Sequence, residues 1–194
     1  MRLCENILKK TVVSSDGEKI GKAQDLIVDS RHVFPRVIAV TVKPRKKFLK
    51  MLGVRSKKFF VYIPWSQVKE VGRKNILLKV DQEKVLRMAS ANSSRLDFKN
   101  KVFLCRDVLD RQIVDADGRF VDRVDDVKIE QVGNSWRVIG LDIGIEGVLE
   151  RLGFEKIFKK LGIKLPEKMI PWYLVKKILR KKRKILLKVP GEIL

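Results

Sequence analysis

The feature that most limits how this chain can fold is that it aligns with itself. A shift of 101 residues lays Leu3-Cys4 on Leu104-Cys105, Leu8 on Leu109, Val13 on Val114 and Asp16-Gly17 on Asp117-Gly118. The same shift lays Asp25 on Asp126 and Arg36-Val37-Ile38 on Arg137-Val138-Ile139. Apolar character persists where identity does not, as in Ile7 with Val108, Ile20 with Val121, Leu26 with Val127, Val40 with Leu141 and Val42 with Ile143. The shift then grows to 107, where Ile63-Pro64-Trp65 meets Ile170-Pro171-Trp172, and to 109, where Ile76-Leu77-Leu78-Lys79-Val80 meets Ile185-Leu186-Leu187-Lys188-Val189. Ordered blocks separated by insertions are what duplication followed by loop-length change leaves behind. The 194 residues therefore read as two small domains, residues 1–81 and 102–190, with a linker over 82–101.

Each copy reads as strands. Asp16-Gly17 and Asp117-Gly118 lie between apolar runs, a strong short-range hairpin signal. Residues Lys19–Asp29 alternate imperfectly, and Gly21 interrupts them, which predicts a bulge or the close approach of another segment. Further strands are predicted over Phe34–Val42, Phe59–Ile63 and Ile76–Val80. Five or so short strands with turn signals between them suggest a small closed barrel, whose closure would remove exposed edges. Helical spacing appears in Lys46–Leu52 and, longer, in Gly147–Ile163. Gln82–Asn100 reads as a short helix followed by a polar linker. The expected fold class is mainly β: two tandem small β-barrels with short helices in the connections.

Composition narrows the setting. Hydrophobic residues make up 45% of the chain, enough for a core. No apolar run reaches the roughly 18–20 residues that a spanning helix needs, and Met1–Asn6 lacks the apolar core of a signal peptide. Two cysteines suit a reducing compartment, so a cytoplasmic protein is expected. The formal net charge of +21 predicts attraction to nucleic acid, anionic lipid or an acidic protein without choosing among them.

The order Asp-Gly, Ile20-Gly21-Lys22, Asp25-Leu26, Arg36-Val37-Ile38, Ile63-Pro64-Trp65-Ser66-Gln67-Val68 resembles the PRC-barrel domain. That domain is named for the cytoplasmic part of a photosynthetic reaction-centre subunit, and it also occurs in a ribosome-maturation factor. The resemblance covers nearly the whole chain, once per copy. In the second copy, residues 104–115, 144–153 and 165–172 are similar to the PRC-barrel region of bacterial MgtE-type magnesium transporter-like proteins. There the barrels precede a helical acidic domain and paired sensor-like domains, where transport and magnesium sensing reside. Those functions are not carried over to these residues.

No catalytic constellation emerges, and no enzyme, cofactor or small-molecule substrate is expected. His32 is the only histidine and falls in a predicted turn beside Arg31. Cys4 and Cys105 lack the further ligands of a zinc site and read as small packed core residues. Asp115-Ala116-Asp117-Gly118 imitates part of a calcium loop, but that register puts Ile113 first and Val124 twelfth, where a bidentate acid is required. A weak magnesium site at Asp122, Asp125 and Asp126 is a minor expectation. Trp65 and Trp172, at equivalent places after proline, read as packing residues.

Two basic runs carry the functional signal. The first holds Lys43, Arg45, Lys46, Lys47, Lys50, Arg55, Lys57 and Lys58 without an acid. The second holds Lys176, Lys177, Arg180, Lys181, Lys182, Arg183 and Lys184. Either run also fits a solvated surface. Phe48, Leu49, Met51 and Leu52 in the first would add shallow membrane insertion. The expectation is a non-catalytic cytoplasmic adaptor or regulatory module that binds protein partners, peripheral to the inner face of a membrane and linked, as the resemblance implies, to a magnesium-transporter-like system. The alternative is an RNA-binding or ribosome-associated module, although no RNA-binding motif or aromatic platform accompanies the lysines.

Overall fold

The computed structural model describes residues 1–56, 58–92, 99–143 and 169–188. The first half opens with one helical turn, α1 (Leu3–Asn6), then β1 (Thr11–Val13), β2 (Lys19–Asp29), β3 (Arg36–Pro44) and the short helix α2 (Lys46–Met51). It continues through β4 (Val61–Pro64), a 3-10 turn (Trp65–Gln67), β5 (Val68–Val71), β6 (Asn75–Leu78) and helix α3 (Gln82–Asn92). The second half runs β7 (Lys101–Phe103), α4 (Leu104–Asp107), β8 (Gln112–Val114), β9 (Phe120–Val132) and β10 (Ser135–Ile143). After the undescribed stretch come β11 (Met169–Pro171), a second 3-10 turn (Trp172–Leu174), β12 (Val175–Leu179) and β13 (Lys184–Leu187). The helix expected over Gly147–Ile163 lies outside the described residues. No described helix is long and apolar enough to cross a membrane.

The local reasons are legible. Gly17 and Gly118 take φ of +83° and +81°, and each donates its N–H to the carbonyl three residues back, on Ser14 and Asp115. Glycine adopts that left-handed backbone at little cost, so the Asp-Gly pair turns the chain between β1 and β2 and again between β8 and β9. In the long strands the β-branched and aliphatic residues face the core: Ile20, Leu26, Val28, Val40 and Val42 in the first half, Val124, Val127, Ile129, Val138 and Leu141 in the second, are all fully buried.

The first half pairs in the order β4-β3-β2-β1-β6-β5, and the second in the matching order β11-β10-β9-β8-β13-β12. The expected barrel closure is not what these ladders form. In each half the two end strands are consecutive in the chain and are joined by the 3-10 turn, not by hydrogen bonds. Pro64 and Pro171 end β4 and β11, and proline has no N–H to extend a ladder. The turns at Trp65 and Trp172 then divert the chain. The open sheets instead join through β3 and β10 into one assembly that holds 13 strands among the described residues.

That joint lies at equivalent positions. Arg36 pairs antiparallel with Arg137, as a local two-fold axis through the pair would demand. Around it each half lends its start to the other. β7 pairs with β2, matching Phe103 to Ile27, while Arg2 bridges to Lys128 at the corresponding positions. Met1 and Ile129 exchange N–H···O bonds of 2.9 and 2.8 Å. The Cys105 N–H donates to Asp25 at 2.6 Å, and the Cys4 N–H donates to Asp126 at 2.9 Å. Each hairpin tip meets the other half's 3-10 turn edge-on, Phe34 on Tyr173 and Trp136 on Trp65. One hydrophobic core cluster accordingly contains residues from both halves. Val85 and Ala89 of α3 belong to it, so part of the stretch read as linker packs in the core, against β4.

Candidate anionic-partner site

The second basic run surrounds an open cleft of about 630 Å³. One wall is β12 and the tip of the β12–β13 hairpin; the other is Ser30, Asn100, Lys101 and Val102. The hairpin tip turns through Arg183, whose φ of +54° is left-handed, with its N–H bonded to the Arg180 carbonyl. Asn100 has a φ of +60°, and its carbonyl accepts from both the N–H and the hydroxyl of Ser30. The cleft therefore sits where the two halves meet.

Arg180 fixes the hairpin against the opposite wall. Its Nε lies 3.2 Å from Asp107 Oδ2, and its Nη2 donates to the Lys101 carbonyl at 2.6 Å. Asp107 is buried, which pushes its carboxyl up. The hydrogen bond from Arg106, the Phe103 N–H and the charges of Arg106 and Arg180 outweigh that and hold it below the usual range. Arg106 also stacks over the Phe103 ring at 4.0 Å. Arg180 is thus a structural anchor. Lys176, Lys177, Lys181, Lys182 and Arg183 are exposed, and Lys184 is half-buried in β13. Among the described residues no acidic side chain lines the cleft.

The first basic run is elsewhere. α2 follows Pro44, which pairs with Gly21 at one end of β2, whereas the cleft adjoins Ser30 past the other end. At roughly 3.3 Å per residue the strand alone separates them by about 30 Å. Lys43, Arg45, Lys46, Lys47, Lys50, Arg55 and Lys58 are exposed, with Lys47 3.4 Å from Glu18; Lys57 lies outside the described residues. The expected insertion face does not form on α2. Phe48 is only 1% exposed and anchors α2 in the core, Leu49 and Leu52 are half-buried, and Met51 alone stays open at 49%.

The remaining candidates disperse. His32 is exposed in the turn between β2 and β3. Trp172 is buried, and Trp65 is half-buried against Trp136. Among the described residues no three His, Cys, Asp or Glu side chains gather as metal ligands. Asp126 instead accepts the Cys4 and Val127 N–H groups, and Asp122 accepts from Arg123.

The cysteines are not core residues: Cys4 is exposed and Cys105 half-buried. What the two cysteines have in common in the structure is the backbone N–H, which in each case donates to an aspartate of the other half. Partial burial, then the nearby Asp126 carboxylate, pushes the Cys4 thiol up to about 12. Thiolate is the reactive form. Iodoacetamide at neutral pH should therefore alkylate Cys4 in the folded chain about tenfold or more slowly than in urea. Equal rates would contradict this environment.

Comparison with known families fits the first-half geometry. Residues 1–85 match the PRC-barrel domain. The PRC-barrel match runs from α1 to the first turn of α3, taking in the whole β4-to-β5 ladder. No curated protein matches the chain.

Proposed function

We propose that the chain is a non-catalytic adaptor built from two PRC-barrel units, residues 1–81 and 102–190, whose basic cleft docks an acidic segment of a protein partner beside an anionic membrane. The observation that carries this reading is the cleft itself: a recess at the junction, walled by exposed lysines and, among the described residues, lined by no acid. Electrostatic complementarity of that kind selects and steers an anionic partner. A second PRC-barrel unit is supported by the repeated strand order, the paired Asp-Gly turns and the reciprocal exchange around Arg36 and Arg137.

The α2 patch supplies the membrane side of the proposal. Each basic residue near an anionic leaflet contributes about 1 kcal/mol, and α2 presents its lysines on an anchored helix. With Phe48 in the core, attraction there is electrostatic and not insertional. A cytoplasmic position at the inner face, and a link to a magnesium-transporter-like system, extend the proposal on the sequence resemblance alone.

The test measures binding of polyglutamate, polyuridylate and phosphatidylglycerol vesicles in parallel across salt. Polyglutamate should bind saturably, weaken with salt, and be lost in the combined Lys177→Glu, Lys181→Glu, Lys182→Glu variant. Vesicle binding should instead follow Lys46→Glu, Lys47→Glu, Lys50→Glu. Tight polyuridylate binding with no affinity for polyglutamate or vesicles overturns the proposal in favour of a nucleic-acid module.

A further inference from the structure

β12 is the end of the strand order and, among the described residues, pairs only with β13. All five of its residues line the cleft. Opposite lie Lys101 and Val102 of β7, whose described ladder is with β2 alone. The cleft is therefore a gap bordered by two strand edges. We infer that an extended acidic peptide segment docks in it as an added strand along β12. This rests on the adaptor reading and specifies its mode.

An edge strand presents a row of backbone donors and acceptors about 4.8 Å from where a next strand would lie. Main-chain pairing then gives affinity, and side chains along the edge choose the sequence. Here Lys176 and Lys177 are exposed while Ile178 and Leu179 are half-buried, so an incoming strand meets charge and then apolar surface. Lys181 and Lys182 close the far end from the hairpin tip, and Lys101 faces them from the other wall.

Lysines on an edge strand also ward off indiscriminate pairing, which is the plain alternative. The other half provides the control. β5 holds the corresponding end position, and its Val68-Lys69-Glu70-Val71 carries one cation and one anion, followed by Gly72-Arg73-Lys74. β12 replaces that with Val175-Lys176-Lys177-Ile178-Leu179 and a longer tip, Arg180-Lys181-Lys182-Arg183. Blunting an edge does not need a second lysine, an enlarged basic tip and a facing lysine on another strand; recognising an acidic strand does. Two other polyanions fit less well. Among the described residues the only aromatic ring lining the cleft, Trp172, is 6% exposed and offers no stacking platform for bases. A recess also keeps its lysines from meeting a planar membrane together.

The experiment uses the full chain and a labelled, blocked peptide alternating glutamate and valine. A second peptide has the same sequence with alternate backbone nitrogens methylated, which preserves charge and removes strand donors. Fluorescence anisotropy should show the plain peptide binding, with affinity falling about tenfold or more on methylation and again in the Lys177→Glu, Lys181→Glu, Lys182→Glu variant. All three substituted positions are exposed, and matching circular dichroism of the variant establishes that it is folded. Binding lost on charge reversal but indifferent to methylation overturns strand addition and leaves the adaptor reading standing. Absence of any peptide binding that charge reversal alters overturns both.

Discussion

Replacing Asp25 by alanine should cost about 2–4 kcal/mol, the penalty for taking the acceptor from three backbone N–H donors in a buried place. Asp25 is 7% exposed and belongs to β2, yet its carboxylate accepts the Cys105 N–H at 2.6 Å and the Arg106 N–H at 3.0 Å, at the start of α4 in the other half. It also takes the Leu26 N–H at 2.7 Å. The side chain is thus a helix cap supplied across the junction. Asp126 mirrors it, but is only half-buried and takes one N–H from the opposite half, so Asp126→Ala should cost less. Urea unfolding of both variants checks the order, and an equal loss would show that the two aspartates carry the junction equally.

The same carboxylate sets a pH dependence of unusual sign. Burial raises Asp25 to about 6, against the opposition of its three N–H donors and with help from the Asp107 charge. The unfolded value is the ordinary 3.8. Below the unfolded value both states are protonated, and the group is neutral for stability. Between the two values the folded chain holds a proton that the unfolded chain releases, so stability from this group falls as pH rises. Above about 6 the full penalty is present, about 3 kcal/mol for a shift of this size. Asp25→Asn does not titrate. It also sets an amide N–H₂ against a backbone N–H, but that cost does not vary with pH. The stability of Asp25→Asn relative to the natural chain should therefore improve by about 2–3 kcal/mol between pH 4 and 7.5. A pH-independent difference would show that the donors, not burial, govern the group.

These residues also show where sequence reasoning reaches and where it stops. The turns were legible because Asp-Gly is a local code: Gly17 and Gly118 need only their own backbone to be understood. β2 fell on its expected Lys19–Asp29, since β-branched alternation is likewise local. β5 escaped notice because four residues with Lys69-Glu70 at their centre carry no apolar period. The openness of the sheets escaped it too, because closure depends on whether β4 and β5 meet, and hydrophobic pattern does not encode that. Cys4 and Asp25 both recur at the 101-residue shift, and for the cysteines the sequence suggests packing within each half. What they share is a contact between the two halves, and an alignment of one half with the other cannot distinguish the two. The basic runs were found by composition, but only the fold separates them, placing one at the junction and one at the far end of β2.

Gly21→Val should be the most damaging single substitution outside the junction, with an expected loss of about 3–5 kcal/mol or no folded protein. Gly21 sits where β2 pairs with Pro44 at the end of β3. A Cβ built there would lie 2.1 Å from the Lys43 carbonyl oxygen and 2.8 Å from Pro44 Cα. Both are backbone atoms, so no rotamer change relieves the overlap; β2 and β3 must part. Separation there would also loosen α2, because the Arg45 N–H that starts it bonds to the Ile20 carbonyl. Gly140 supplies the comparison. Its added Cβ would meet the Met169 side chain at 2.5 Å and the Ile170 carbonyl at 3.0 Å. A methionine chain can swing aside, and the 101-residue equivalent of Gly140 is Ala39, which already carries a Cβ at the matching place opposite Pro64. Gly140→Ala should therefore cost no more than about 1–2 kcal/mol. Thermal melts of Gly21→Ala and Gly140→Ala side by side separate the cases. If Gly21→Ala melts within a degree or so of the natural chain, the close approach of β2 to β3 at this point is wrong.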